Sequence, residues 1–124
     1  WSRDMARIGL LLASRGRWDA TQILSSRLVE EAIAEHINIP LDAEAALLGD
    51  RQGYGYQLWR FSSVGDGEQV LLMELSGNGG QKVYIDEANR LMIVITAGNY
   101  DRRDLPKSPL DIYFDIVRPA MLDR

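Results

Sequence analysis

The sequence predicts an α+β fold, an antiparallel sheet of about four strands with N-terminal helices and a C-terminal helix packed on it. Three observations carry that reading. Apolar residues recur at helical spacing up to about residue 36, then alternate with polar ones between residues 53 and 100. A polar stretch then leads to Ser108, Pro109 and Asp111, a strong helix start.

The first helix is expected over residues 3–15, capped by Ser2, with Asp4 in the first turn and Gly16 just past the end. Met5, Ile8 and Leu12 share one face, with Leu11 beside them. "RGRWDATQIL" reads as a turn with Trp18 as a buried anchor. A second helix starts near Ser25 or Ser26 and runs to about His36, with Leu28, Val29, Ala32 and Ile33 at helical spacing. Pro40 interrupts the pattern, and residues 37–52 read as a loop holding one helical turn at Ala43 to Leu48. "GYGYQLWRF" alternates as one half-buried strand, and "SSVGDGEQ" supplies a turn with Gly65 and Gly67. "QVLLMELS", "QKVYID" and "LMIVITA" are three further strands, the last two joined by a hairpin at Asp86 to Arg90. The last strand is apolar at nearly every position, so both of its faces are expected to be covered. In the closing helix Leu110, Tyr113, Phe114, Val117 and Met121 form the buried stripe.

The chain has 124 residues, enough for one domain. Hydrophobic residues make up 46%, charged residues 26%, and the net charge is -4. Its only lysines are Lys82 and Lys107, and its arginines are scattered, which argues against a nucleic-acid partner. No run approaches the roughly 20 apolar residues of a membrane span. With no cysteine, disulfides, thiolate metal sites and a Cys nucleophile are excluded. The chain opens on Trp1, in what reads as a helix, and is expected to be part of a longer polypeptide.

"SGNGGQ" sets Gly77, Gly79 and Gly80 ahead of a strand, where glycine weakens a sheet unless something must approach the backbone closely. A tight loop between strands, with no ligand, is the other reading. A phosphate-cradling loop is disfavoured because a strand follows instead of a helix. His36, the only histidine, reads as a partly buried helix residue. Glu30, Glu31 and Glu35 read as a solvated helix face, Asp86 and Glu87 as hairpin residues. Trp18, Trp59, Tyr54 and Tyr56 read as core or site-wall aromatics. Neither cofactor nor metal is implied.

In order and spacing, "SRDMARIGLLLASRGRWDATQILSSRLVEEA", "GYGYQLWR" and "SGNGGQKVYIDEANRLMIVITAGNY" resemble the C-terminal part of the beta-lactamase-like serine hydrolases. That group holds the class C beta-lactamases, penicillin-binding proteins and esterases. The resemblance runs from about Ser2 to Tyr100 and implies a single partial domain of a beta-lactamase/transpeptidase-like fold. Its parts are a helical segment at 1–52, antiparallel strands at 53–100 and a C-terminal helix at 108–122. It also implies amide or ester hydrolysis through a Ser acyl-enzyme, with a Ser nucleophile and Lys at i+3 on one helix. The substrate lies against a sheet strand whose backbone N–H joins the oxyanion hole. Counting back from "GGQ" puts the family's strand motif on Leu75, Ser76 and Gly77, with the Asn78 N–H as oxyanion donor and Tyr56 as a lining residue. Leu75 departs from the Lys or His usual there. Reading three residues on from every Ser gives no Lys, and no Tyr is followed two positions later by Asn or Ser. The nucleophile and base motifs are thus absent, and this chain alone is expected to be inactive. The small-molecule amide or ester would bind in a complete protein, whose relatives are commonly periplasmic or secreted. The partner implied is the missing N-terminal segment, or a second copy through an open sheet edge. A non-catalytic binding or interaction domain on the same scaffold is the alternative.

Overall fold

The computed structural model describes residues 2–39, 51–65, 68–101 and 109–122. Helix α1 (Ser2–Ala13) leads through a short ribbon of β1 (Arg17–Trp18) and β2 (Thr21–Gln22) into α2 (Ser26–Ile33). The strands β3 (Ile37–Asn38), β4 (Arg51–Tyr54), β5 (Trp59–Gly65), β6 (Glu68–Gly77), β7 (Gln81–Asp86) and β8 (Leu91–Ile95) follow. They form one antiparallel sheet in chain order. The chain closes in a continuous helix made of α3 (Pro109–Ile112), a π-helical turn (Tyr113–Val117) and α4 (Arg118–Leu122).

Strand alternation divides the sheet into two apolar faces. Met73, Val83 and Ile85, with Leu75, Met92 and Val94, pack against Val29 and Ile33 of α2 and Met5, Leu12 and Ala13 of α1. Phe61, Val70 and Leu72, with Trp59, Leu91 and Ile93, pack against Tyr113, Leu110 and Phe114 of the closing helix. The unbroken apolar run of β8 is explained by this sandwich, since its alternate residues enter opposite cores. At eight residues α2 is too short to be stable alone. Burial of Val29 and Ile33, about 1.5–3 kcal/mol each, holds it on the sheet.

Several expectations are corrected by local backbone chemistry. "GYGYQLWRF" is not one strand. Gln57 is left-handed (φ 62) and Gly55 N donates to Leu58 O at 2.8 Å, so the chain turns between β4 and β5. The alternation of Tyr54, Tyr56 and Leu58 crosses that turn. With the two-residue β3 added, the main sheet has six strands among the described residues instead of four. Trp18 is not a buried anchor; it is 40% exposed on the β1–β2 ribbon. Ser2 lies inside α1 and does not cap it, and the helix stops at Ala13. Ser25 does cap α2, accepting from Leu28 N at 3.2 Å, but Leu28 itself is exposed. The helix ends at Ile33 because Ala34 turns extended (ψ 153) and His36 N donates to Tyr54 O, starting β3. His36 is therefore an exposed residue beyond the helix. In place of a turn across residues 62–69, β5 runs to Gly65 and β6 begins at Glu68. The helical turn at Ala43 to Leu48 and the Ser108 cap lie outside the described residues.

The closing helix is tied to the β7–β8 hairpin by a buried polar cluster. Tyr113, 1% exposed, donates to Asp86 Oδ2 at 2.6 Å, and Asp86 also accepts from Asn89 N and Nδ2. Arg118, 3% exposed, comes onto Tyr113 because the π turn carries its N–H back five residues, to Tyr113 O. Burial, then the Asp86 carboxylate, push the Tyr113 hydroxyl well above the usual tyrosine range, with Arg118 opposing them. Folded Tyr113 thus keeps its proton where the unfolded chain, titrating near pH ~10, loses it. Its contribution is complete below that pH and falls as pH rises toward the folded value. Tyr113→Phe is expected to cost about 1.5–3 kcal/mol at pH 7 and to flatten the loss of stability above pH ~10 in urea melts taken across pH.

Gly9 fixes how closely α1 lies on the sheet. A Cβ there would stand 2.3 Å from Met92 Sδ and 2.9 Å from Val83 Cγ1. Although Ala is favoured over Gly in a helix by about 1 kcal/mol, Gly9→Ala is expected to destabilise by about 1–3 kcal/mol through overpacking, read as a lower Tm.

Candidate functional site

β6 and β7 pair with Ser76 opposite Lys82, Glu74 opposite Tyr84 and Gly77 opposite Gln81. Residues directly opposite, and those two apart, project from the same face. Glu74, Ser76 and Lys82 therefore meet on the face that the closing helix covers farther along. Lys82 Nζ donates to Ser76 Oγ at 2.6 Å and also to Glu74 Oε1. The Glu74 side chain is 1% exposed and that of Lys82 13%, while Ser76 is open to solvent. A carboxylate so deeply buried needs a cation and hydrogen bonds to offset its lost hydration. Two of the three ammonium N–H groups of Lys82 are accounted for by Glu74 and Ser76. Because Ser76 Oγ accepts from Lys82, its own O–H is left to donate outward. The result is a hydroxyl donor backed by a cation.

The turn Asn78–Gly80 joins the two strands, with Gly79 (φ 87) and Gly80 (φ 90) both left-handed. A Cβ on Gly79 would come within 2.8 Å of the Tyr100 ring, and one on Gly80 within 3.3 Å of Ala97 Cβ. The chain after β8 lies over this turn, with Asn99 N donating to Gly79 O at 3.0 Å and Gln81 Nε2 to Ala97 O at 2.5 Å. Local geometry thus accounts for Gly79 and Gly80, as the tight-loop reading holds. Gly77 differs: it is exposed, and a Cβ there would first meet Gln81 Cβ, at 3.3 Å. Ser76, Gly77 and Asn78 form a continuous exposed stretch at this end of the sheet.

Tyr56 sits in the β4–β5 turn. Since Trp59 pairs with Glu74, that turn lies at the same end of the sheet as Ser76. Its hydroxyl donates to Glu31 Oε1 at 3.1 Å, and its ring stacks on His36 at 4.6 Å and 11°. The bond to Glu31, with that residue's charge, raises the Tyr56 pKa. His36 Nε2 lies 2.6 Å from Glu31 O. Tyr56 is thereby bound to the end of α2, and among the described residues no hydrogen bond joins it to Ser76, Gly77 or Asn78. Glu31 and Glu35 are exposed, as read from the sequence, but engaged, Glu35 accepting from Asn38 Nδ2 at 2.9 Å.

Lys82 and Glu74 were not singled out from the sequence, although both left a signal. A charge inside "VLLMELS" is out of place in an apolar strand, and a turn centred on Gly79 sets residue 82 opposite 76. The register also places Leu75, opposite Val83. Its side chain belongs to the core beneath α1 and α2, opposite in sense to Ser76. The positive charge at Ser76 comes from the neighbouring strand.

Two clefts, of about 450 and 410 Å³, lie at the other end of the sheet and share the Arg15–Glu87 ion pair as a wall. Neither is lined by Ser76, Gly77 or Asn78. Among the described residues no group of three or more His, Asp or Glu side chains is placed to hold a metal, and no helix is long and apolar enough to cross a membrane. No family model matches the chain, and no curated protein is significantly similar to it.

Removing Lys82 strands a buried carboxylate. Lys82→Ala is expected to cost about 3–5 kcal/mol, whereas Glu74→Gln with Lys82→Met, which removes both charges together, is expected to cost far less. Chemical denaturation of the single and double variants measures the difference.

Proposed function

We propose that this chain is the substrate-binding wall of a beta-lactamase-like serine hydrolase that cleaves an amide or ester through an acyl-enzyme. Ser76, Gly77 and Asn78 form the strand side of the site. The observation that supports the reading is the Lys82 ammonium 2.6 Å from Ser76 Oγ, which sets a cation beside the exposed stretch despite Leu75. The O–H of Ser76, polarised by Lys82, donates to a carboxylate or developing oxyanion resting against Gly77. Asn78 N–H is the oxyanion donor, and Tyr56 lines the approach. Ser76 is not the nucleophile in this scheme, since the Lys82 ammonium donates to its Oγ as well as to Glu74. The nucleophile and its base come from polypeptide outside this sequence. The same polypeptide completes the sheet at β8, whose outer edge is unpaired among the described residues.

A second reading, a non-catalytic binding domain on the same scaffold, is favoured by the Lys82–Ser76 hydrogen bond, which suits the Ser76 hydroxyl to holding an anion. Labelling separates the two. The chain alone is expected to give no covalent adduct with a fluorescent penicillin and no turnover of a p-nitrophenyl ester, and to self-associate through β8 in light scattering. Joined to the polypeptide encoded just upstream, it is expected to become monomeric and to acylate. In that protein Glu74→Gln with Lys82→Met is expected to lower kcat/KM about 10- to 100-fold, the loss of one charge-assisted hydrogen bond. If the joined protein carries Ser-x-x-Lys and still never acylates, the hydrolase reading fails and the binding domain stands.

A further inference from the structure

The larger cleft, about 450 Å³, lies between the C-terminal end of α1 and the β7–β8 hairpin, far from Ser76. Its apolar floor includes Leu10, Ala13 and Met92, and its rim carries Arg15, Glu87 and Arg90. A volume of this size is within the range of small-molecule sites.

The backbone at the two arginines is a second, independent observation. Arg15 has φ 53 and Arg90 φ 51, both left-handed. At the end of α1, Gly16 N donates to Leu11 O at 2.8 Å and Arg15 N to Leu12 O at 3.0 Å. This is the Schellman pattern with Arg15 at the position usually given to glycine. Arg90 closes the hairpin, its N–H donating to Glu87 O at 3.2 Å, again at a left-handed position that glycine or asparagine fills most easily. Two strained positions, from separate elements, thus both carry a guanidinium to one cleft. Strain of this kind gathers at ligand sites, where the side chain outweighs the backbone.

Among the described residues, the charges around the cleft leave one cation uncommitted. Arg15 pairs with Glu87 at 3.1 Å, both side chains well exposed, a contact weak enough to exchange. The Asp86 carboxylate is engaged by Tyr113 and Asn89. Arg90 has no side-chain hydrogen bond or ion pair among the described residues.

We propose that this cleft binds a small amphipathic carboxylate, its tail on Leu10, Ala13 and Met92 and its carboxylate on Arg90, with Arg15 released from Glu87 to join it. Charge complementarity selects the occupant: the floor takes an aliphatic tail, and a guanidinium fork matches a carboxylate in two parallel hydrogen bonds. The site stands apart from Ser76 and does not rest on the hydrolase reading.

Octanoate titrated into the full chain, followed by calorimetry and by the Met92 methyl resonance, tests it. Saturable binding is expected, at least 10-fold tighter than octanol or acetate and unchanged by Ser76→Ala. Arg90→Gly and Arg90→Asn are expected to weaken octanoate at least 10-fold while leaving Tm equal or higher, because both residues relieve the backbone. Octanol binding as tightly as octanoate, unchanged octanoate affinity in both variants, or no saturable octanoate binding would overturn the proposal. So would a fall in Tm in both variants, which would give Arg90 a structural role.

Discussion

Register between β6 and β7 is the constraint on which every other feature of this chain depends. Gly79 and Gly80 take left-handed conformations that L side chains resist, so the turn has one place to form. From there the pairing runs without irregularity, Gly77 with Gln81, Ser76 with Lys82, Glu74 with Tyr84 and Met73 with Ile85. A slip of one residue would carry Lys82 through the sheet and drive its ammonium into the core under α1 and α2. The same slip would bring Val83 out beside Glu74. Since a buried carboxylate without its cation is costly, the ion pair reports the register as well as depending on it. Turn chemistry, core partition and the exposed Ser76 hydroxyl are one decision.

The second sheet face is unusual in carrying polar groups at both ends of an apolar centre. At one end Lys82 joins Glu74 and Ser76; at the other Asp86, Tyr113, Asn89 and Arg118 form the latch of the closing helix. Phe61, Val70 and Leu72 lie between them. The π turn belongs to this arrangement. Its extra residue per turn brings both Tyr113 and Arg118 to the buried side, where a regular helix at 3.6 residues per turn would rotate residues five apart away from each other. The closing helix is therefore anchored by direction-dependent bonds and not by apolar contact alone. That fixes how far it extends along the sheet and leaves the Ser76 end open.

What the sequence made legible follows from the range of the interactions involved. The α+β class, the two N-terminal helices, the β7–β8 hairpin and the closing helix all rest on local periodicity and capping, and these were readable. So was the start of α2 near Ser25 or Ser26. The splitting of "GYGYQLWRF" was not, because Gln57 gives no hint that it takes φ 62. Trp18 was misread because a large aromatic is usually buried, whereas the β1–β2 ribbon projects it away from both cores. The glycine turn beside Ser76, Gly77 and Asn78 is a local signal. Lys82 and Glu74 depend on pairing across a hairpin, and their roles appear only when the register is worked out residue by residue. The backbone strain at Arg15 and Arg90 has no local signature at all.

The register also changes how Leu75 is to be understood. Reasoning along one strand, its apolar side chain looks like a lost cation, because the resembled family usually has Lys or His there. In the sheet, residues 75 and 76 point to opposite faces. Leu75 packs with Met73, Val83 and Val94 in the core beneath the N-terminal helices. A charge at residue 75 would enter that core, where an ion without a partner is costly. A directly opposed residue on β7 lies only about 5 Å away between Cβ atoms, and a lysine spans that gap easily. The positive charge beside Ser76 is therefore better supplied from residue 82 than from residue 75, and Glu74 holds it there. In a sheet, the surroundings of a side chain are set by the strand pair, and a charge missing along one strand can be supplied from its neighbour.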